Sequence, residues 1–263
     1  MLKVLKPVFA LAMMAFLVAP LIAILPLAFT SSIFLSYPIP SFSTRWFEEL
    51  AQSDSWRMAI LNSLIIGAST TVLATFLGAL AALGLRERVV LASSLRTLFL
   101  LPMVVPAVVL GVGLQILFAR IGLASSYAGV ICAHTVVAVP FVVISVSASL
   151  DGIDRGIERA ALSLGAHPLK VLTQVTLPLA LPGVLSGAVL AFATSLDEVV
   201  LTLFVAGPNQ RTLARQMFST IRDNISPAIA AAAFLFIVGT LLVGILLVLM
   251  RQHRAALSAA AAE

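Results

Sequence analysis

The sequence predicts an all-α protein that crosses a membrane several times. Of its 263 residues, 61% are hydrophobic and only 10% are charged. A soluble domain of this length must face water with polar groups, so it has no place for that much apolar surface. Six long windows are nearly free of charge, and none alternates apolar and polar residues as the strands of a membrane barrel do. We therefore expect a single transmembrane domain over residues 1–263 with six transmembrane helices.

The positions of the six spans follow from the length of the apolar windows. A helix rises about 1.5 Å per residue, so about 20 apolar residues cross a hydrocarbon core about 30 Å thick. The first window follows Lys3 and Lys6 as a signal peptide would, but it is longer than a typical signal peptide. No clear small-residue cleavage site follows Pro20 and Pro26, so we expect a retained span. The predicted spans are residues 8–30, 59–84, 97–118, 128–150, 179–203 and 227–250.

The distribution of lysine and arginine predicts that both chain termini lie in the cytoplasm. With the N-terminus inside, ten basic residues fall on inner segments and six on outer segments, and cytoplasmic loops are the ones enriched in positive charge. Trp46 and Trp56 fit an outer interfacial segment, where such rings anchor near lipid headgroups. The inner residues are Lys3, Lys6, Arg86, Arg88, Arg96, Arg155, Arg159, Lys170, Arg251 and Arg254; the outer ones are Arg45, Arg57, Arg120, Arg211, Arg215 and Arg222.

Composition and motif content argue against several other functions. The net charge of +5 comes from basic residues scattered singly between apolar runs. Nucleic acid needs a continuous basic patch, so we expect no nucleic-acid partner. Cys132 is the single cysteine, which excludes a disulfide within the chain, and no zinc-ligand spacing occurs. The sequence has no phosphate-binding loop and no metalloprotease or serine-hydrolase motif, so we expect no catalytic residue, cofactor or metal.

The segment 151–178, between the fourth and fifth predicted spans, is more than a simple connector. Asp154 is placed to cap a short helix, and Gly165 is placed to end it in the left-handed conformation. Pro168 suits the first turn of a second short helix. Small side chains on one face of the first helix would let another surface approach closely. That face would hold Ile157, Ala160, Ala161 and Leu164.

The spacing in this segment resembles a cytoplasmic motif of binding-protein-dependent ABC importer permeases. The motif reads Glu-Ala-Ala, three residues, Gly, nine residues, Ile, any residue, Leu-Pro. Ala160-Ala161, Gly165 and Leu177-Pro178 occupy the corresponding positions with the spacing kept. The resemblance extends along nearly the whole chain and is strongest from Asp151 to Pro227, where the run from residue 192 onward looks like the spermidine/putrescine permease branch.

Two positions depart from the motif. Arg159 stands where the motif has Glu, with Glu158 one residue earlier, and Val175 replaces Ile. In the family this segment forms a coupling helix that docks into a cleft of the ATPase, so the resemblance implies the same docking mode here. The change at Arg159 bears on the salt bridges that the segment can make with the ATPase. The residues to which the resemblance assigns an ATPase-coupling role are Glu158, Arg159, Ala160, Ala161, Gly165, Leu177 and Pro178.

The resemblance also implies a fold, a function and partners. It implies the fold of a type I ABC importer permease, a non-enzymatic subunit that lies in the bacterial inner membrane and moves a solute inward. The implied partners are a second permease subunit, two copies of a cytoplasmic ABC ATPase that carry the nucleotide sites, and a periplasmic or extracytoplasmic substrate-binding protein. The implied solute is a small cation such as putrescine or spermidine; an opine, an amino-acid derivative or another small solute is the alternative.

A second class of transporter fits the sequence less well. An ion-coupled secondary transporter would need intramembrane charges in several spans and an internal repeat with broken helices. The sequence has a single acidic pair in its apolar windows and no clear repeat. We therefore favour the ATP-driven permease.

Two adjacent acids, Asp197 and Glu198, are the candidate substrate-path residues. They end the uncharged window of the fifth span, and a carboxylate within lipid requires a cavity or a partner. One carboxylate could compensate the charge of an ammonium group briefly. The alternative is an interfacial pair bonded to Arg211 or to the partner subunit. Asp197 is the stronger candidate, and only one acid need face the path because adjacent helical residues point about 100° apart.

Other polar and small residues in the spans are predicted to hold helices together. His134 in the fourth span could relay protons, but a hydrogen-bonded packing role is favoured. Asn62, Gln115 and Thr135 are polar groups suited to bridging helices, and Gly78 is a close-packing position in the second span.

Overall fold

The described residues fold into helices, joined by turns and by one longer connection at residues 30–44. The structure is a computed structural model that describes residues 2–87, 91–223, 225–242 and 244. Within those ranges there is no strand, and one isolated bridge pairs Thr30 with Phe42; the predicted all-α class is confirmed. The helices are α1 (Leu2–Ile24), α2 (Arg45–Gln52), α3 (Asp54–Arg86), α4 (Ala92–Leu100), α5 (Ala107–Ile121), α6 (Tyr127–Asp151), α7 (Arg155–Ser163), α8 (Pro168–Val171), α9 (Leu177–Asp197), α10 (Val200–Val205), α11 (Leu213–Asp223) and α12 (Ala228–Leu242).

Among the residues that the structure describes, four helical stretches are long and apolar enough to cross a membrane. Each exceeds the about 20 residues that a hydrocarbon core requires. The helices α3 and α6 contain the predicted spans 59–84 and 128–150; that they cross a membrane at those bounds stays a prediction. The four stretches are Lys6–Phe29, Asp54–Arg86, Tyr127–Asp151 and Pro168–Asp197, of 24, 33, 25 and 30 residues.

The predicted third span, 97–118, is not one continuous helix. The helix α4 and the 3-10 turn Leu101–Met103 meet α5 at an angle of 98°. The break lies between Pro102 and Pro106, because proline lacks the N–H that continues a helix and disfavours helical geometry in the residue before it. Hydropathy does not register such a break. With the bent pair counted as one span the described residues hold five candidate spans, so the predicted count of six is not reached there.

The last two predicted spans also differ from the helices. Helical structure runs from Pro168 to Asp197 and stops there, so the predicted span 179–203 contains a break at Glu198 and Val199. The helix α12, Ala228–Leu242, begins one residue after the start of the sixth predicted span, 227–250. Residues 243 and 245–250 of that span lie outside the described residues.

Residues 58–216 form one of two compact units, and its core is built by α6 and its neighbours. Val142 of α6 is fully buried and meets glycines of two other helices. A Cβ placed on Gly78 of α3 would lie 2.6 Å from the Cβ of Val142, and one on Gly187 of α9 would lie 3.0 Å from its Cα. Larger side chains cannot occupy these positions, so the close-packing role predicted for Gly78 is confirmed.

The other unit is formed by the described residues of 1–57 and of 217–263. Its aromatic residues cluster, with Phe29 and Phe47 both edge-on to Phe234 at ring distances of 5.2 and 5.6 Å. Trp46 and Trp56 are each only 5% exposed, so the expectation that both rings face lipid headgroups is wrong. Trp46 is held inside because its indole N–H donates to the carbonyl of Thr30 at 2.8 Å.

Candidate functional site

The first helix of the motif segment has the ends that the sequence predicts. The N–H of Gly156 donates to Asp154 Oδ1 at 2.8 Å, so Asp154 caps α7. Gly165 has φ of +85°, the left-handed region that favours glycine. Its N–H donates to Leu162 O, and the N–H of Ala166 donates to Ala161 O. These two bonds form a Schellman motif, which stops α7 and turns the chain sharply.

The second half of the motif leads directly into a long helix. Pro168 is the first residue of α8, as predicted, and Nδ1 of His167 accepts from the N–H of Leu169 at 3.3 Å. A π-helical turn at Leu172–Thr176 then joins α8 to α9. Leu177 and Pro178 open α9. The wider turn lies just before Pro178, whose ring and missing N–H do not fit a regular helical ladder.

The outward surface of this helix–turn–helix is left open by the described chain. Leu164, at the turn, is 89% exposed, and Leu169 on α8 is 63% exposed. Arg159 and Ala160 are also exposed, whereas Ala161 is half-buried. Of the four residues predicted to share a face, Ile157, Ala160 and Leu164 are therefore open within the residues described, and Ala161 is not. An exposed apolar surface of this kind is typical of a docking site.

Glu158 has a different position from its neighbours. Its Oε1 atom accepts from Arg86 Nη1 and from the Thr176 hydroxyl, each at 2.6 Å. The two side chains of the ion pair are only 9% and 19% exposed for Arg86 and Glu158. Partial burial raises the pKa of Glu158, but the bonds from Thr176 and Arg86 and the positive charges of Arg86 and Arg155 outweigh that effect and hold it below its usual value.

The partners of Glu158 were not anticipated from the sequence. Arg86 is the first charge after the predicted second span, and Thr176 lies within the motif at its freely variable position. Neither signal identifies a contact with α7. Arg86 also lines a cavity of about 230 Å³, together with Arg96, Asp151, two serines and four apolar residues.

The two candidate substrate-path acids have different environments. Asp197 is the last residue of α9; it is exposed, and no hydrogen bond or ion pair links it to another described residue. Glu198 is half-buried, and its Oε1 accepts from the N–H of Leu201 at 2.8 Å. Glu198 therefore caps the start of α10. The alternative of an ion pair between either acid and Arg211 is not observed among the described residues.

His134 holds the two sides of the α9–α10 break. The residue is fully buried, and its Nδ1 lies 2.8 Å from the Ser195 hydroxyl and its Nε2 lies 2.9 Å from the Thr202 hydroxyl. Because Thr202 donates its own proton to the carbonyl of Glu198, Nε2 of His134 must be the donor to Thr202. Both ring nitrogens are thus occupied by neutral hydroxyls. This geometry fits the packing role that the sequence favoured over a proton relay.

A second polar cluster lies at the other end of α3, around Asn62. The Asn62 amide donates to the carbonyls of Asn209 and Arg211 at 2.9 Å each, and its oxygen accepts from the Tyr127 hydroxyl at 2.7 Å. The bridging role predicted for Asn62 is confirmed. Thr135 instead bonds a carbonyl of its own helix, and Gln115 is exposed, so neither of them bridges helices among the described residues.

Comparison with known proteins identifies a family. The family model described as "Binding-protein-dependent transport system inner membrane component" matches residues 74–255. The chain is 35% identical over 237 residues to the putrescine transport system permease protein PotI of Escherichia coli, covering 87% of this chain and 84% of that protein. It is 32% identical over 237 residues to the spermidine/putrescine transport system permease protein PotC of Escherichia coli, covering 90% of this chain and 89% of that protein.

A third relative and a solved structure extend the comparison. The molybdenum transport system permease protein ModB of Mycobacterium bovis is 38% identical over 236 residues, covering 82% of this chain and 89% of that protein. The fold is similar to a chain in the crystal structure of a bacterial alginate ABC transporter in complex with an alginate pentasaccharide-bound periplasmic protein. The TM-score is 0.70 at 20% identity, over 96% of this chain and 92% of that one.

Proposed function

We propose a substrate and a coupling role for this chain, which belongs to the family of binding-protein-dependent transport system inner membrane components. The proposed substrate is a small cationic solute of the polyamine type, which the chain carries into the cell. The chain is a transport subunit, and the energy comes from ATP hydrolysis on a separate chain. The single observation that carries the coupling role is the exposed surface of α7 and α8. Docking of the ATPase would cover Leu164 and Leu169, the apolar side chains that the described chain leaves open.

The coupling residues divide into four groups under this proposal. Arg159 and Ala160 lie on the docking surface of α7, where the small alanine permits close approach, and Ala161 beside them is half-buried. Gly165 sets the direction of the turn. Leu177 and Pro178 pass the movement to α9, and Glu158 ties α7 to the rest of the permease. Because Arg159 is positively charged, it would face an acidic or neutral group of the ATPase. A glutamate at this position, as in the family motif, would instead pair with an arginine.

The complete transporter would contain other subunits. We place a second permease subunit of related sequence beside this chain, two copies of the ATPase on the cytoplasmic side and a solute-binding protein on the outer side. The periplasmic protein in the alginate transporter structure supports the last of these. Both chain termini would lie in the cytoplasm, so that the segment 151–178 faces the ATPase.

The proposed substrate class rests on charge. Two of the named relatives transport polyamines, and a third transports molybdenum, which proteins commonly handle as an oxyanion. The exposed carboxylate of Asp197 at the end of α9 favours a cation and disfavours an oxyanion. We propose Asp197 as the path residue, with Glu198 holding the α9–α10 break in shape.

A binding experiment separates the two substrate classes. The cognate binding protein would be titrated by calorimetry with putrescine, spermidine and molybdate in separate runs, with an opine and an amino acid as further ligands. We expect binding of a polyamine and none of molybdate. Tight binding of molybdate or of an uncharged solute, with no polyamine binding, would overturn the substrate class while leaving the permease function intact.

A pair of glycine substitutions tests the coupling segment. Gly165 and Gly122 both have positive φ, +85° and +77°, and both leave open space around an added Cβ. Gly165→Leu and Gly122→Leu thus introduce similar backbone strain, of about 1 kcal/mol. In proteoliposomes with the cognate ATPase and binding protein, Gly165→Leu should abolish uptake-linked ATP hydrolysis and Gly122→Leu should retain it. Equal retention by both variants would remove the coupling assignment.

A further inference from the structure

The inner face of α7 is joined to two other helices through one carboxylate. Oε1 of Glu158 accepts two hydrogen bonds of 2.6 Å, from Arg86 at the end of α3 and from Thr176 in the π turn before α9. Both partners are far away in the sequence, by 72 and 18 positions. The carboxylate is therefore the point where three segments meet.

Further bonds attach α7 and its N-terminal flank to the end of α3. Arg86 Nη2 donates to the carbonyl of Ile153 at 3.1 Å. The guanidinium of Arg155 donates in turn to the carbonyl of Arg86. Arg86 thus bonds α7 through its side chain and through its backbone. This arrangement leaves little freedom for α7 to move without the end of α3.

The direction in which Glu158 points separates it from the docking surface. Glu158 and Ala161 are half-buried at positions three apart on α7, whereas Ile157, Ala160 and Leu164 are exposed. Residues spaced by three share a face of a helix, so α7 has one face toward the permease and another toward the outside. A side chain on the inner face that is already bonded to Arg86 is not available to an ATPase docked on the outer face.

We propose that Glu158 is a positioning residue that locks α7 to the ends of α3 and α9, so that a displacement of α7 moves both helices together. This inference rests on the proposed coupling function. Glu158 makes no contact with the ATPase; it acts inside the permease, through Arg86 and Thr176. Thr176 lies in the π turn just before α9, and its hydroxyl bonds Glu158 of α7. A continuous regular helix would place this hydroxyl differently.

A distance measurement tests the lock without knowledge of the substrate. Spin labels would be attached at exposed Ser163 of α7 and at exposed Glu87 beside the end of α3, as Ser163→Cys and Glu87→Cys, with Cys132→Ser to remove the native thiol. Pulsed electron paramagnetic resonance on the assembled transporter would give the label distance without nucleotide and after trapping with ATP and vanadate. We expect an unchanged distance in the parent and a shift on trapping when Glu158→Gln is added.

A shift in the parent, or an unchanged distance in the Glu158→Gln variant, would overturn the proposal. Asp151→Asn is the matched control, because Asp151 is an exposed acid beside the same cavity and has no ion pair among the described residues. The control should behave as the parent does. A shift in the control equal to that of Glu158→Gln would mean that negative charge near Arg86 matters and the bond does not, which also overturns the lock.

Transport measurements give the second readout. In proteoliposomes that import putrescine with the parent chain, Glu158→Gln should lower the amount of putrescine imported per ATP hydrolysed by about tenfold, and Asp151→Asn should leave it unchanged. Thr176→Ser, which keeps the hydroxyl, should retain the parent ratio, and Thr176→Val should lower it. A parent chain that imports no putrescine counts against the proposed substrate alone, because the label distances do not depend on it.

Copurification with the ATPase completes the test. If Glu158 is a positioning residue, Glu158→Gln assembles with the ATPase in the same proportion as the parent. A loss of assembly in Glu158→Gln that the Asp151→Asn control does not share would identify Glu158 as an ATPase contact and overturn the inference.

Discussion

The two ends of α3 are held by different chemistry. At one end Asn62 is 2% exposed, and its amide donates to the backbone carbonyls of Asn209 and Arg211. At the other end Arg86 meets the carboxylate of Glu158 and also lines a cavity of mixed polar and apolar character. The hydrogen bonds of Asn62 join neutral groups, so their strength does not depend on a charge. The strength of the ion pair between Arg86 and Glu158 depends on the charge state of both groups and on the access of water.

This difference separates an end suited to a fixed role from an end suited to movement. The Asn62 cluster closes the connection between α10 and α11 onto α3. The Glu158 cluster lies on the segment that we propose meets the ATPase. We therefore expect substitutions in the first cluster to act on stability alone and substitutions in the second to act on stability and on coupling.

The largest effect on stability is expected at Asn62. The variant Asn62→Leu removes the amide bonds to the Asn209 and Arg211 carbonyls and the acceptor of the Tyr127 hydroxyl. Because the Asn62 side chain that makes these bonds is only 2% exposed, the free energy of unfolding should fall by about 3 kcal/mol. Denaturant titration of the purified protein in detergent measures this loss. Thr135→Val is the control, because the Thr135 hydroxyl bonds only its own helix; its cost should stay below about 1 kcal/mol. Equal losses in the two variants would contradict the special role of the Asn62 cluster.

A smaller and pH-dependent effect is expected at Glu158. Its pKa is held below the usual 4.5, so the ion pair adds its full stability above pH 4.5 and loses it as the pH falls through the lowered value. Glu158→Gln should cost about 1–2 kcal/mol at pH 7. Thermal unfolding of both proteins between pH 7 and pH 3 should show the difference shrinking below pH 4.5. A difference that stays constant to pH 3 would show that charge is not what stabilises this end, whereas the cost of Asn62→Leu should not change with pH.

The smallest effect on stability is expected at Asp197. Because this carboxylate is exposed and has no bonded partner among the described residues, Asp197→Asn should change the free energy of unfolding by less than about 0.5 kcal/mol. Uptake of putrescine should nevertheless slow. Glu198→Gln provides the comparison, since it weakens the cap on α10 and should lower stability. Unchanged uptake in Asp197→Asn would favour an interfacial role for this acid.

Local rules account for what the sequence predicted correctly in the site. Asp154 caps α7, Gly165 ends it with positive φ, and Pro168 opens α8. Each of these outcomes depends on the backbone within a few residues, where the chemistry of carboxylates, glycine and proline is decisive. The all-α class followed from composition for a similar reason, because lipid accepts apolar helices.

Hydropathy predicted less about how the helices begin and end. The window 97–118 contains a bend of 98°, and the helix that enters the window 179–203 stops at Asp197. Averages over about 20 residues do not register two prolines four positions apart, or a glutamate that caps the next helix. The sequence also could not predict the burial of Trp46, because that burial depends on the carbonyl of Thr30 and on neighbouring rings.

The sequence by itself determined that this chain is an apolar helical protein with a capped helix–turn–helix between two long apolar helices, because those properties depend on composition and on neighbouring residues. Only the tertiary structure decided which way each charged side chain of the site faces. Glu158 turns inward because Arg86, 72 positions earlier, and Thr176 supply donors there. Glu198 is bonded and Asp197 is not, because only Glu198 reaches the N–H of Leu201 at the start of α10. Contacts of this kind arise only once distant segments have packed together.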